Sequence, residues 1–152
     1  MISFKCDDSA VRRMIEGLLK RLSNMAPAMR VIGEIVHESI QTNFEEGGRP
    51  KKWEKLKSTT IKQRQKRGHW PGRILVESGV SGGLMGSITY KPYPKKVVML
   101  ANKKYAAIHH FGGKAGRGRK VTIPARPYMM VQDEDWVEMK AALGDFIVRG
   151  KA

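Results

Sequence analysis

Residues 87–102, SITYKPYPKKVVMLAN, decide the fold class. SITY (87–90) and KVVMLAN (96–102) are short runs rich in β-branched and aromatic residues, the composition of strands. KPYPK (91–95) lies between them, and its two prolines suit a connecting loop rather than a ladder. The segment therefore reads as an antiparallel hairpin. Everything before it that shows an apolar period shows the helical one, so the chain changes character here.

Upstream, Val11, Met14, Ile15, Leu18, Leu19 and Leu22 recur at steps of three and four, one stripe of a helix over about 8–24. Asp8 or Ser9 can cap its start, and Asn24 and Pro27 mark its end. Ile32, Ile35, Val36, Ile40 and Phe44 form a second stripe over about 27–45, closed by Gly47-Gly48. Two such helices on a short link either pack as a hairpin or both lie on the sheet. Downstream, VTIPARPYMMV (121–131) is extended, with Pro124 and Pro127 keeping it off the middle of a sheet. Asp133, Glu134 and Asp135 favour a helix start. Trp136, Val137, Met139, Leu143, Phe146 and Ile147 then give a last helix, about 133–148, its apolar side. The expected architecture is one α+β domain over 1–152, with an N-terminal helix pair and a C-terminal helix packed on a small antiparallel β-sheet.

Between the second helix and the strand region lies a basic connector, 49–73. It holds ten Lys or Arg and a single acid, Glu54. Trp53, Leu56, Ile61 and Trp70 are its apolar anchors, and Ser58 or Thr59 can cap a short basic helix running to Arg67. A solvated helix face ordinarily mixes its charges, so this imbalance points to a partner. A second basic group, Lys114, Arg117, Arg119 and Lys120, sits among glycines. The whole chain carries a formal net charge of +15, which suits contact with a polyanion or an acidic protein surface. A 41% apolar fraction in 152 residues is enough for one sizeable core.

Several classes of function are poorly served. Cys6 is the only cysteine, so no internal disulfide can form, which favours a reducing compartment. No apolar run approaches the roughly 18 residues of a membrane span, and MISFKCDDSA lacks the order of a signal peptide. Use in the cytoplasm, or in something assembled there, is expected. His109 and His110 are adjacent, so their side chains diverge and share one metal ion poorly. No GxSxG elbow, Walker loop or GxGxxG is present. The glycines at 79, 82, 83 and 86 form a link around Leu84-Met85 rather than a phosphate cradle. No catalytic residue, cofactor or metal is expected.

The ordered set NFEEGGRPKKWEKLKSTT (43–60), ILVESG (74–79), LMGSITY (84–90), KYAAIHHFGG (104–113) and IPARPYM (123–129) resembles the phage virion morphogenesis family. These are tail-completion proteins of Mu-like and related tailed phages. SGVSGGLMGS carries more glycine than that family pattern, and His110 replaces what is often a polar amide. The resemblance implies a non-enzymatic structural protein of the virion, assembled in the bacterial host cytoplasm. It implies a place at the tail end or neck, contact with other tail or neck proteins, and a homo-oligomer, with a ring as the form that related neck and tail-end proteins often take. On that pattern Trp53, Leu56, Gly79, Tyr105, Ile108, His109, Phe111, Gly112, Gly113, Pro124, Arg126 and Pro127 are structural. Tyr105, Ile108 and Phe111 are expected to plug into the core, His109 to be a hydrogen-bonded structural histidine, and Arg126 to make a planar ion pair or backbone contact. Lys51, Lys52, Lys62, Arg64, Lys66, Arg67, Lys114, Arg117, Arg119 and Lys120 are the expected contacts to a partner or DNA. The alternative is a non-specific nucleic-acid-binding module using 49–73 and 114–120, with Trp53 and Trp70 stacking on bases.

Overall fold

The computed structural model describes residues 7–77 and 82–151. Its central element is a long helix, α2 (Ala26–Glu46), preceded by α1 (Ser9–Ser23). Pro27 sits in the first turn of α2, where its missing N–H has no helical partner to lose. The helix ends at Gly47 in the left-handed conformation, φ 71°, which a residue without Cβ adopts freely. Ala28, Met29, Ile35, Val36, Ile40 and Phe44 are buried along it.

After α3 (Ser58–Lys66) and a 3₁₀ turn (Met85–Ser87), β1 (Ile88–Tyr93) pairs antiparallel with β2 (Lys96–Ala101). The register runs from Ile88 opposite Ala101 to Tyr93 opposite Lys96. The hairpin is thus longer than the sequence suggests: Pro92 lies inside β1, opposite Val97, and only Pro94-Lys95 turn. A two-stranded sheet has a free edge on each strand, so a residue with no N–H is tolerated there. The ring of Tyr90 lies directly over Gly33 of α2. A Cβ at Gly33 would come within 2.3 Å of it, so the glycine sets how closely the hairpin seats on the helix.

A short helix α4 (Ala106–Phe111) leads into a second, separate hairpin, β3 (Gly113–Ala115) with β4 (Val121–Ile123). The last helix, α5 (Asp133–Arg149), begins with a reciprocal cap. The Gln132 side chain meets the third-turn-position backbone, and Asp135 takes the Gln132 N–H at 2.6 Å. The architecture is α+β, as expected, with two small antiparallel sheets rather than one.

Phe44, fully buried, centres the core between Trp53 edge-on at 5.7 Å and Tyr128 at 5.2 Å between ring centroids. Ile88, Met85, Leu84, Ala106 and Met139 close around them. A polar clamp ties the same elements together. Asn43 donates to the Tyr128 and Met130 carbonyls at 3.0 and 3.3 Å. It accepts from Arg49 Nε at 3.0 Å, and Arg49 Nη2 reaches the Ser39 carbonyl and hydroxyl at 2.9 and 2.8 Å. Ser39 in turn donates to Asp135.

Three local expectations are corrected. Asp8 stands before α1, as one of the two residues expected there, and Lys57 rather than Ser58 or Thr59 stands before α3, but neither makes a side-chain cap bond. On α5, Trp136 and Val137 are 53% and 69% exposed, while Met139 and Phe146 carry the buried face. The shift follows from Asp135 turning inward to its clamp, which rotates the following two residues outward. Finally, α1 does not lie on the sheet: it meets α5, and it buries no residue of its own.

Candidate interface

The segments of the basic connector and the second hairpin converge on one limb of the molecule. Trp53 anchors the connector: it is buried, and its indole N–H donates to the Pro127 carbonyl at 3.1 Å. Arg126 reaches back in the opposite sense. Its guanidinium is buried and donates to the Glu54 carbonyl through Nε and Nη2 at 3.2 and 3.0 Å. Two chain segments some seventy residues apart are thus stitched by side chains that each satisfy the other's backbone. The backbone contact expected of Arg126 is present. Its burial and the neighbouring charge of Arg64 lower the guanidinium pKa, with Glu54 opposing.

Gly112 makes the turn between α4 and β3. Its φ is 74°, and a Cβ there would sit 2.8 Å from the Ala125 nitrogen. Gly113 follows with φ 150°. Pro124 and Pro127 are half-buried on the return limb. Ile108 is half-buried beside Gly113.

The outcome for the HHF stretch differs from expectation. Phe111 is 77% exposed and Tyr105 45%, so neither plugs into the core. A six-residue helix presents only one face inward, and Ala106 and His110 occupy it. His110 Nδ1 accepts the Tyr128 N–H at 3.3 Å, and its ring stacks edge-on to Tyr128 at 5.1 Å. Tyr128, on the return limb, fills the place expected of Phe111 and donates its hydroxyl to the Ala106 carbonyl at 3.1 Å. Tyr128 is the one aromatic residue of PARPYM (124–129), and the sequence reads it as core in preference to interface. His109 uses its backbone, accepting the Arg126 N–H at 2.8 Å, while its buried Nδ1 has no partner among the described residues. Its ring is therefore not hydrogen-bonded through that nitrogen, contrary to expectation. Burial, then the Arg126 charge, hold the His109 pKa below 6.5, and burial does the same for His110.

Tyr105, His109, Arg126, Arg64, Leu56, Val121, Ile123 and Leu84 are among the residues that line a cleft of about 510 Å³. Arg64 is the clearest displacement of an expected contact residue. It is 5% exposed and donates to the Arg73 carbonyl at 2.8 Å. The Arg73 carbonyl, with the Glu77 carboxylate 4.0 Å from Nε, holds the guanidinium inward and removes it from the surface, although Nε has no hydrogen-bond partner among the described residues.

The remaining cations sort by pairing. Lys52 pairs with Glu46 at 2.9 Å and Arg67 with Glu77 at 3.1 Å. Lys51, Lys62 and Lys66 are exposed and make no ion pair among the described residues. Lys114, Arg117, Arg119 and Lys120 are exposed on the β3–β4 hairpin and likewise unpaired there. Gly79 lies outside the described residues. Among the described residues no cluster of His, Cys, Asp and Glu could hold a metal ion, and no helix is long and apolar enough to cross a membrane.

A model of the phage virion morphogenesis family matches residues 6–147, from before α1 into the last turn of α5. Mu-like prophage FluMu G protein 2 of Haemophilus influenzae is 39% identical over 132 residues, covering 87% of this chain and 85% of that protein. No solved structure matches. With the limbs that carry WEKL, HHFGG and IPARP joined in one core, and the match running through all of them, the chain belongs to the phage virion morphogenesis family.

Proposed function

We propose that this protein is a non-enzymatic structural component of a phage or prophage particle that completes the tail or joins it to the head at the neck. Copies assemble there as a homo-oligomer, a ring in the simplest arrangement, against other tail or neck proteins. The observation that supports this reading is the pairing of family membership with a hairpin whose four cations, Lys114, Arg117, Arg119 and Lys120, are exposed and make no ion pair among the described residues. Such a limb steers association with an acidic surface, while apolar contacts hold it. The two histidines of HHF support a structural role, since His110 is engaged with Tyr128.

The test is electron microscopy of an induced lysate in which the gene is deleted, complemented with wild type or with the four hairpin cations replaced by Ser. Filled heads apart from unjoined tails, rescued by wild type and not by the variant, are expected. Normal joined particles without the gene overturn the proposal.

A second reading, non-specific nucleic-acid binding, retains the exposed lysines and the half-buried Trp70 but loses one of its two stacking rings. Trp53 is buried and bonded to Pro127, so it presents no face to a base. What remains is chiefly charge, and it predicts binding whose log–log salt slope is about −0.9 per phosphate neutralised. No binding to a DNA duplex at low salt disposes of it.

A further inference from the structure

The cleft that holds Arg64 and Arg126 gathers positive charge that the chain itself answers only in part. Both residues line it, and each is 5% exposed. Arg64 gives Nη1 to the Arg73 carbonyl, and its enclosed Nε has no hydrogen-bond partner among the described residues. Arg126 donates to the Glu54 and Lys55 carbonyls and has no carboxylate partner among the described residues. His109 Nδ1, in the same lining, is enclosed and unpartnered as well. Lys57 adds an exposed cation. These groups feel one another. Beyond burial, which acts most, the Arg64 charge lowers the Arg126 pKa against the opposing pull of Glu54, and the Arg126 charge lowers that of His109. Glu77 is the one acid of the described lining, and Arg67 already holds it at 3.1 Å. Two buried guanidiniums of like charge carry a desolvation cost that an incoming anion offsets.

The walls narrow the kind of anion. Leu56, Leu75, Leu84 and Pro124 give the cleft apolar surface. A phosphate backbone brings little to match it, whereas a peptide carries acid and apolar groups together. One border is a strand. Val121, Thr122 and Ile123 all line the cleft. Successive side chains of a strand point to opposite faces, so three in a row border the cleft with the edge of β4. One edge of β4 pairs with β3, and no described strand pairs with the other. A free edge of this kind accepts an extended peptide as an added strand.

We infer that the cleft binds an extended peptide segment of a partner protein along the free edge of β4, its side-chain carboxylate received by Arg64 and Arg126. Guanidinium forks suit a carboxylate, and the apolar walls take the side chains two positions to either side, which share its face. The hairpin cations steer a partner from the surface; this cleft recognises a particular segment of it. The inference rests on the assembly reading above only for the source of that segment.

NMR titration of the ¹⁵N-labelled full chain tests it. The probe is the blocked peptide acetyl-Val-Thr-Glu-Thr-Val-amide, and the control replaces its Glu with Gln. The Glu peptide is expected to shift the Nε–H signals of Arg64 and Arg126 and the amides of 121–123, saturating with a Kd of about 1 mM or tighter. The Gln peptide is expected to bind at least about tenfold more weakly. Val121→Asp puts an acid beside the cleft at a position 53% exposed, and should weaken the Glu peptide by about tenfold or more once circular dichroism shows that the variant folds. The peptide comparison needs no variant. No saturable shift by about 10 mM, equal binding of the two peptides, or undiminished binding to a folded Val121→Asp overturns the inference. Inorganic phosphate or a thymidine tetranucleotide that shifts the same signals at lower concentration than the Glu peptide also overturns it, assigning the cleft to phosphate. The lysate experiment is separate: unjoined tails without peptide binding would leave the function standing and remove this site.

Discussion

Replacing Asn43 with Ala removes the side chain that ties α2 to the return limb. Asn43 is fully buried and makes three hydrogen bonds: two N–H to the Tyr128 and Met130 carbonyls, and one from Arg49 Nε. The substitution strands the Tyr128 carbonyl inside the core, leaves the Met130 carbonyl and Arg49 Nε underpaired, and opens a small void. An unsatisfied buried polar group costs about 1–3 kcal/mol, and part of that is recovered where water can reach. Summing one fully buried loss and two partial ones gives about 3 kcal/mol. In a chain of this size that lowers Tm by about 6–12 °C. Urea unfolding followed by Trp fluorescence measures it, with the slope m expected to stay unchanged. Asn43→Asp separates the terms. It keeps an acceptor for Arg49 but offers no N–H to the carbonyls, so it should lose nearly as much despite the new charge pair. A loss below about 1 kcal/mol in Asn43→Ala, or an Asn43→Asp variant as stable as wild type, would refute the claim that these carbonyl bonds hold the limb.

Other substitutions check the remaining assignments. Phe111→Ser should change stability by less than about 0.5 kcal/mol, because the ring is exposed, whereas Trp53→Ala should cost about 3–5 kcal/mol; comparable losses would contradict the placement of both rings. Gly112→Ala forces a side chain onto a backbone at φ 74° and within 2.8 Å of Ala125 N, and should cost about 2 kcal/mol or more. Gly144→Ala, on α5 with open space around its Cβ, should stabilise by about 0.5–1 kcal/mol; equal effects at the two glycines would deny the strain argument. Acidification probes the histidines. Their folded pKa values lie below 6.5, so the unfolded chain takes up protons first as pH falls. Stability contributed by the neutral rings is therefore complete above about pH 7 and is lost as pH drops from about 6.5 through the folded values. Replacing both with Asn should flatten that limb of a denaturation-versus-pH curve; an unchanged slope assigns it to other groups.

What the chain determines by itself is local. Steps of three and four fix α1, α2 and α5, because a helix repeats its face every 3.6 residues whatever surrounds it. The switch to β-branched runs fixes the first hairpin, although Pro92 lies within its strand because the free edge of a two-stranded sheet forgives a missing N–H. Gly47 and Gly112 are turns in any context that needs positive φ. The charge excess is likewise written in composition.

Only the tertiary structure decides what those residues do. Arg49 and Arg64 look like two more surface cations in a basic chain, and no local pattern tells whether Arg126 makes an ion pair or a backbone contact. All three turn inward to distant carbonyls, because a long apolar stem with a forked cation can cross a gap that no local pattern reveals. Tyr128 fills the core and Phe111 faces solvent, a choice made by which side of a six-residue helix meets the return limb. The α1 stripe follows the helical period as faithfully as that of α2, yet one is covered and the other bare. Periodicity states that a face is apolar; only the positions of the other elements state whether this chain itself can bury it.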